Sequence, residues 1–281
     1  MGRRFLVARN LLKLWALLAG ASIGLGAAGW ELGGYRLALL FVGSAVLLSA
    51  ALYAYSDRIV MGMVGARELL QAEAPALHST VDRLSLQAHV VRPRLYVLPD
   101  AYPRALSAGR GAGGGSALAV SLGLLGVASP AELEGVVAHE LAHLRNRDVL
   151  LQSVAVVCAA AVVESSRVGG FFQRGLLYLL GPLAAAFVHL LLSPKREFDA
   201  DRIAADLCDS PHGLADALVR LEQAMQLVAF SASPATEPLY TANPFADEGL
   251  ASLFGTHPPV GERVRRLREL DPDWREKLRA A

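Results

Sequence analysis

Ser129-Pro130-Ala131-Glu132-Leu133-Glu134-Gly135-Val136-Val137-Ala138-His139-Glu140-Leu141-Ala142-His143 carries two histidines four residues apart within a segment patterned as a helix. Ser129 suits an N-cap, Pro130 the first helical position, and Glu132 the reciprocal partner of the cap. Leu133, Val136, Val137, Leu141 and Leu144 recur at helical spacing, with no Gly or Pro between Val136 and Asp148. On such a helix His139 and His143 share one face, so both imidazoles can hold one metal ion. Glu140 then reaches a metal-bound water without being a ligand. Zinc brings that water to a pKa of roughly 7, and the carboxylate takes its proton as it attacks a carbonyl. The competing reading of these residues is a solvated helix face.

A catalytic zinc needs a third protein ligand and one open position. Ser193-Pro194-Lys195-Arg196-Glu197-Phe198-Asp199-Ala200-Asp201 again opens as a helix. Glu197 and Asp201 fall on one face of it, and Asp199 points elsewhere. Glu197 is a candidate ligand, and Asp201 a candidate acceptor for the ring N–H of a ligand histidine. Spacing alone leaves a second reading open, an acidic surface balanced by Lys195, Arg196 and Arg202.

The chain has 281 residues, 53% of them hydrophobic and 19% charged, with mean hydropathy +0.37. A water-soluble domain carries about 25% charge, so part of this chain belongs in lipid. Leu14–Trp30 gives seventeen uncharged residues and Leu37–Ser56 twenty, joined across Gly33-Gly34. That pattern predicts a transmembrane hairpin over residues 1–57; a cleaved signal peptide is the rival for its first arm. Two more apolar stretches follow the histidines. Val149–Val163, fifteen residues, is short for a span and reads equally as a buried helix; Gly175–Leu192, eighteen residues, is broken by Gly181-Pro182 and carries His189. If either spans, both must, which makes 149–192 an inserted pair. His189, near a span end, suits the interface better than a buried functional role. Arg3, Arg4, Arg9 and Lys13 precede the first span, against a single Arg36 in the first connection. Positive-inside then places the N-terminus and the histidine pair in the cytoplasm.

Residues 58–148 and 193–281 remain for one aqueous domain in two parts. Met61–Gln87 reads as helical, with Val81, Leu84 and Leu86 as core positions; Arg94–Leu98 and Ala117–Leu122 read as strands. Gly109-Arg110-Gly111-Ala112-Gly113-Gly114 matches a dinucleotide fingerprint in letters, but a strand-like segment follows where a helix must open. It reads as a flexible hairpin loop, with no nucleotide bound. A net charge of +1 gives no reason to expect nucleic acid. Cys158 and Cys208 form no disulfide framework, and His78, His89 and His212 sit in polar helices and turns.

Taken together, His139-Glu140-Leu141-Ala142-His143, Arg145-Asn146-Arg147-Asp148, Lys195 to Asp201, and Asn243-Pro244-Phe245 with Leu253 to Pro259 and Arg263 resemble the HtpX-like membrane metalloproteases. These are relatives of the CAAX prenyl endopeptidases. The resemblance covers most of the chain from about Ser56 onward. It implies a mostly α membrane protein: four transmembrane helices plus a zincin-type, gluzincin-like α+β protease domain with a small sheet. It implies one Zn2+ held by His139, His143 and Glu197, Glu140 as general base, and Asp201 as support. It also implies His257 and Arg263 near the site; the competing reading of His257-Pro258-Pro259 is a turn before a Val260–Leu270 helix. Ala117, Leu118, Ala119, Val120 and Ser121 would form the exposed edge that pairs with an extended substrate. Relatives often carry Asn-Ala-Phe before the glycine loop, where this chain has Arg104-Ala105-Leu106, a departure that bears on substrate contacts.

The reading reached is a membrane-embedded zinc endopeptidase with its site at the cytoplasmic face. Its expected substrates are membrane proteins, misfolded or damaged ones by resemblance, and its expected surroundings a lipid bilayer. The rivals are a processing protease for one membrane or lipidated substrate, and a non-catalytic scaffold stabilised by zinc. Retention of Glu140, which a structural zinc does not need, argues against the scaffold.

Overall fold

The structure, a computed structural model, describes residues 2–154, 157, 195–208, 210–225, 258–271 and 273. It begins with α1 (Gly2–Met63), which turns back on itself at Gly33-Gly34. Gly34 sits at φ 67°, a conformation that side chains resist. A Cβ on Gly29 would fall 2.8 Å from Ala38 Cα, and one on Gly26 would fall 2.8 Å from the Val42 side chain. In one straight helix those pairs would stand about 13 and 24 Å apart. The two arms are therefore antiparallel, as the charge-free stretches predict. Ile23, Leu39 and Leu47 are exposed along the arms; exposed Trp30 and Tyr35 mark the tip and Trp15, Tyr53 and Tyr55 the base. Among the described residues, only the run Leu12–Met63 is long and apolar enough to cross a membrane. Of the expected second pair, residues 149–154 and 157 are helical, and the rest lies outside the described residues, His189 included.

The remainder is mostly helical with one small mixed sheet. In chain order come β1 (Arg67–Glu68), α2 (Pro75–Ala88), β2 (Arg94–Leu98), β3 (Ala105–Gly109), β4 (Ser116–Ser121), α3 (Leu122–Val127) and α4 (Pro130–Asn146). After the insertion follow α5 (Lys195–Leu207), α6 (His212–Met225) and α7 (Val260–Glu269). The sheet order is β1-β2-β4-β3, with β2 and β4 parallel and both outer pairs antiparallel.

Two expectations change here. Ala117–Ser121 is not an edge, because β4 is hydrogen-bonded to β2 on one side and β3 on the other. Among the described residues the outer strand is β3. Ser121 N–H donates to Arg104 O at 2.9 Å and Arg110 N–H to Gly115 O at 3.1 Å. Even-numbered β3 residues thus face β4, while Ala105, Ser107 and Gly109 turn their main-chain groups outward. The second change concerns Met61–Gln87, which is not one helix: α1 ends at Met63 and α2 starts only at Pro75. Val81 and Leu84 are fully buried as expected, but Leu86 is 78% exposed. Two residues past Leu84 is about 200° around the helix, so the two cannot share a buried face.

The glycine segment joins β3 to β4. A strand does precede it, but a strand rather than a helix leaves it, so the turn is a β-hairpin. It is packed rather than free. A Cβ on Gly111 (φ 86°) would fall 3.0 Å from Leu144 O and 3.2 Å from Arg147 Cα, at the end of α4.

Helix α4 is the hub, packing against α2, α5, α6 and β3. Val136, Val137, Leu141 and Leu144 meet Leu84, Leu118, Leu214 and Leu218 in the main core. Its start carries the predicted capping box, Ser129 Oγ accepting from Glu132 N–H and Glu132 from Ser129 N–H. The hairpin base joins this body through Val60 and Met61 against Leu98, Leu106 and Ala119, and through an ion pair of buried Asp57 with the partly exposed Arg94. Removing the cap with Ser129→Ala should cost about 1 kcal/mol. Leu86→Ala should stay within about 0.5 kcal/mol, despite replacing a leucine. Thermal unfolding of the two variants in detergent, against the parent chain, checks both.

Candidate metal centre

Burial separates the two readings of the histidine pentad. His139 is 0% exposed and His143 4%, with Glu140 and Glu197 equally enclosed, so this face of α4 is not solvated. The Nε2 atoms of His139 and His143 stand 3.1 Å apart with their rings at 90°. Helix α5 brings Glu197 against them, Oε2 at 3.6 Å from His139 Nε2 and Oε1 at 3.7 Å from His143 Nε2. The acidic face of α5 is thus a buried wall, not a surface.

Each imidazole is oriented from behind. His139 Nδ1 lies 2.9 Å from Asp201 Oδ1, and His143 Nδ1 lies 3.1 Å from Asp148 Oδ2. Carboxylates there accept the Nδ1 protons and turn both Nε2 lone pairs toward one point. Two lone pairs converging beside a carboxylate repel one another unless a cation sits between them. Tetrahedral zinc with ligands at about 2.0–2.1 Å sets donors about 3.3 Å apart, close to the three separations found. The donor set therefore fits zinc.

Asp201 is in turn clamped by Arg263 from α7, Nε donating to Oδ2 at 2.9 Å and Nη2 to Oδ1 at 2.6 Å. The same guanidinium lies 3.4 Å from the His139 ring nitrogens and 4.0 Å from Glu197. Arg266 stacks over Phe198, 3.7 Å from the ring centroid, and holds α7 on α5. Arg196 adds its guanidinium 3.1 Å from Glu197. Glu140, Glu197, Asp201 and Asp148 against Arg196 and Arg263 leave this buried group two negative charges with neutral imidazoles, the complement of a divalent cation. The same field acts on His139: burial opposes its charge, but Asp201 and Glu197 outweigh burial and hold the imidazole at about 9 in the absence of metal. Burial also works against the Asp201 carboxylate, yet Arg263 dominates and brings it to about 2.

Glu140 points to the opposite side, toward β3, where Ser107 Oγ donates to Oε2 at 2.7 Å. The structure thus brings together His139, Glu140, His143, Glu197, Asp201 and Arg263, whereas His257 lies outside the described residues. Two residues were missed. Asp148 reaches His143 because Arg147 takes a left-handed φ of 55° and reverses the chain at the end of α4. An acid directly after a helix that bears ligands was its signal. Ser107 is the one polar side chain in Ala105–Gly109, a strand buried on both faces, and that isolation was its signal.

Asp148→Asn should weaken zinc affinity about 10- to 100-fold while leaving the fold intact, as titration against a competing chelator would measure. Arg263→Ala removes the guanidinium partner of buried Asp201, leaving it only His139, and should destabilise the metal-free protein by up to about 3–5 kcal/mol. Thermal unfolding with and without zinc checks this.

The model of Peptidase family M48 matches residues 71–271, the part of the chain that carries every donor just described. A Protease HtpX homolog of Pelotomaculum thermopropionicum is 39% identical over 276 residues, covering 92% of this chain and 98% of the relative. The homolog from Salinibacter ruber is 37% identical over 271 residues, covering 93% and 98%. The crystal structure of S. mikatae Ste24p aligns with a TM-score of 0.49 at 15% identity, over 92% of this chain and 64% of its own. Relatives that match from end to end, and a family model that spans both ligand helices, place the chain in peptidase family M48, among the HtpX-like metalloproteases.

Proposed function

We propose that this chain is a zinc endopeptidase that cleaves membrane proteins beside the bilayer, and that misfolded or damaged ones are its quality-control substrates. The observation that carries the catalytic part is the division of labour around α4. His139 and His143 converge on Glu197, while Glu140, between them in sequence, is withheld from the ligand set by Ser107. A scaffold that used zinc for stability alone would have no use for such a carboxylate.

His139, His143 and Glu197 would hold the ion. When bound, zinc supplies Lewis acidity, which polarises a scissile carbonyl and acidifies water. Glu140 accepts the proton of the attacking water and returns it to the leaving amine. Ser107 fixes the carboxylate rotamer through this transfer, and Asp201 and Asp148 keep both histidines in the tautomer that presents Nε2. An extended substrate would lie along the outer side of β3, pairing with the outward main-chain groups of Ser107 beside Glu140.

The membrane part rests on the folded hairpin, whose exposed apolar arms end in aromatic residues at both tip and base. Trp15 and Trp30 are separated by about 22 Å of helix and Tyr35 and Tyr53 by about 27 Å, close to the thickness of a hydrocarbon core. The reading includes a second pair of spans over 149–192, with the N-terminus and the site on the cytoplasmic side.

Glu140→Gln should retain stoichiometric zinc and lose hydrolysis, by a factor of at least about 10²–10⁴. Glu197→Ala should lose the zinc itself. Metal content and peptide cleavage measured on one preparation separate the two roles, and undiminished activity in Glu140→Gln would overturn the mechanism.

A further inference from the structure

At Gly109 the outer side of β3 meets a residue of this same chain. Gly109 N–H, the last outward-facing donor of the strand, points at Ser153 Oγ, 3.4 Å away. Ser153 belongs to the helical segment that follows α4 and is fully buried. Its own hydroxyl proton is committed elsewhere, to Val149 O at 2.8 Å one turn back in the same segment. Only the oxygen lone pairs are left to face Gly109. Chemically, that oxygen occupies the place of a carbonyl from a neighbouring strand. Outward-facing groups on β3 recur every second residue, so the position after Ser107 is already filled by this chain.

We propose that Ser153 is a specificity-determining residue: it closes the β3 edge at Gly109, so that a substrate strand pairs at Ser107 and goes no further toward the glycine loop. This rests on the substrate pairing proposed above. The closure is placed close to the chemistry. Gly109 is two residues from Ser107, whose hydroxyl holds Glu140, so the strip ends about 7 Å along the strand from the general base. On one side of the scissile bond the enzyme then gains nothing from main-chain contacts beyond the residue that faces Ser107. Cleavage on that side is governed by access of the peptide bond, with little dependence on a long matched segment. This suits varied unfolded chains better than one defined sequence.

The test uses the full-length protein with zinc, in detergent, and peptides lengthened one residue at a time on either side of a common scissile bond. In the parent enzyme kcat/KM should stop rising on one side once the peptide extends past Ser107. In Ser153→Ala the next residue should raise it about threefold to tenfold, the worth of one main-chain hydrogen bond. Ser153→Thr, which keeps the hydroxyl, should retain the parent plateau. Ser153→Cys keeps the volume but offers a poor acceptor, so it should shift the length dependence in the direction of Ser153→Ala; it also serves if the alanine variant does not fold. A purely structural role would change activity toward all lengths in proportion. Length dependence identical in the parent, Ala and Cys variants overturns the role of Ser153 alone. A parent enzyme indifferent to peptide length on both sides overturns substrate pairing on β3, and this proposal with it.

Discussion

Several ionised groups buried around one helix must be brought to electrical balance, and most of the architecture follows from how that is done. Helix α4 carries two imidazoles and a carboxylate inward, and α5 adds two more carboxylates opposite them. Without compensation, such a cluster would cost many kcal/mol in desolvation and mutual repulsion. The compensation comes from two guanidinium groups: Arg263, brought from α7, and Arg196 beside Glu197. What remains is a deficit of positive charge of the size that one divalent ion fills. Arrival of α7 is thus an electrostatic necessity for α5 to pack against α4, and its Arg266–Phe198 stack makes that docking geometric as well.

Glu140 belongs to this charge balance but is separated from the ligand cluster by direction. Glu140 follows His139 immediately, so it projects about 100° away around α4 and meets β3 instead of α5. One helix therefore presents two environments, the His139–His143–Glu197 cluster on one side and a carboxylate held by Ser107 on the other. The sheet meets the second side: β4 is an interior strand that anchors the sheet in the core, and β3 is the strand that carries Ser107 to Glu140.

The ligand helix was legible in the sequence because capping and helical periodicity are local. Ser129, Glu132 and the histidine spacing each report on the next few residues only. The hairpin was legible for a similar reason, since seventeen- and twenty-residue charge-free runs around Gly33-Gly34 are a matter of length and solvent. The sheet order was not. Strand β3 reads Ala-Leu-Ser-Ala-Gly and is buried on both faces, so it lacks the alternation that marks a strand. The edge assigned to β4 rests on the resemblance, and nothing local says that β3 pairs beyond it. Asp148, Ser107 and Ser153 stayed hidden for one shared reason: each meets a partner that only the folded chain brings near, and a local signal, where there is one, does not name that partner.

The glycine-rich turn after β3 has a consequence for how the enzyme keeps its tolerances. Because Gly111 rests directly on the last carbonyls of α4, strand and helix are separated there by the thickness of a bare backbone. A side chain at that point would act as a shim, prising the far end of β3 off the helix. Between Ser107 and Glu140, a widening of half an ångström is enough to turn a firm hydrogen bond into a loose contact. The turn that looks like a spacer by composition is a calibrated gap, and the separation of Ser107 from Glu140 is set from its far end.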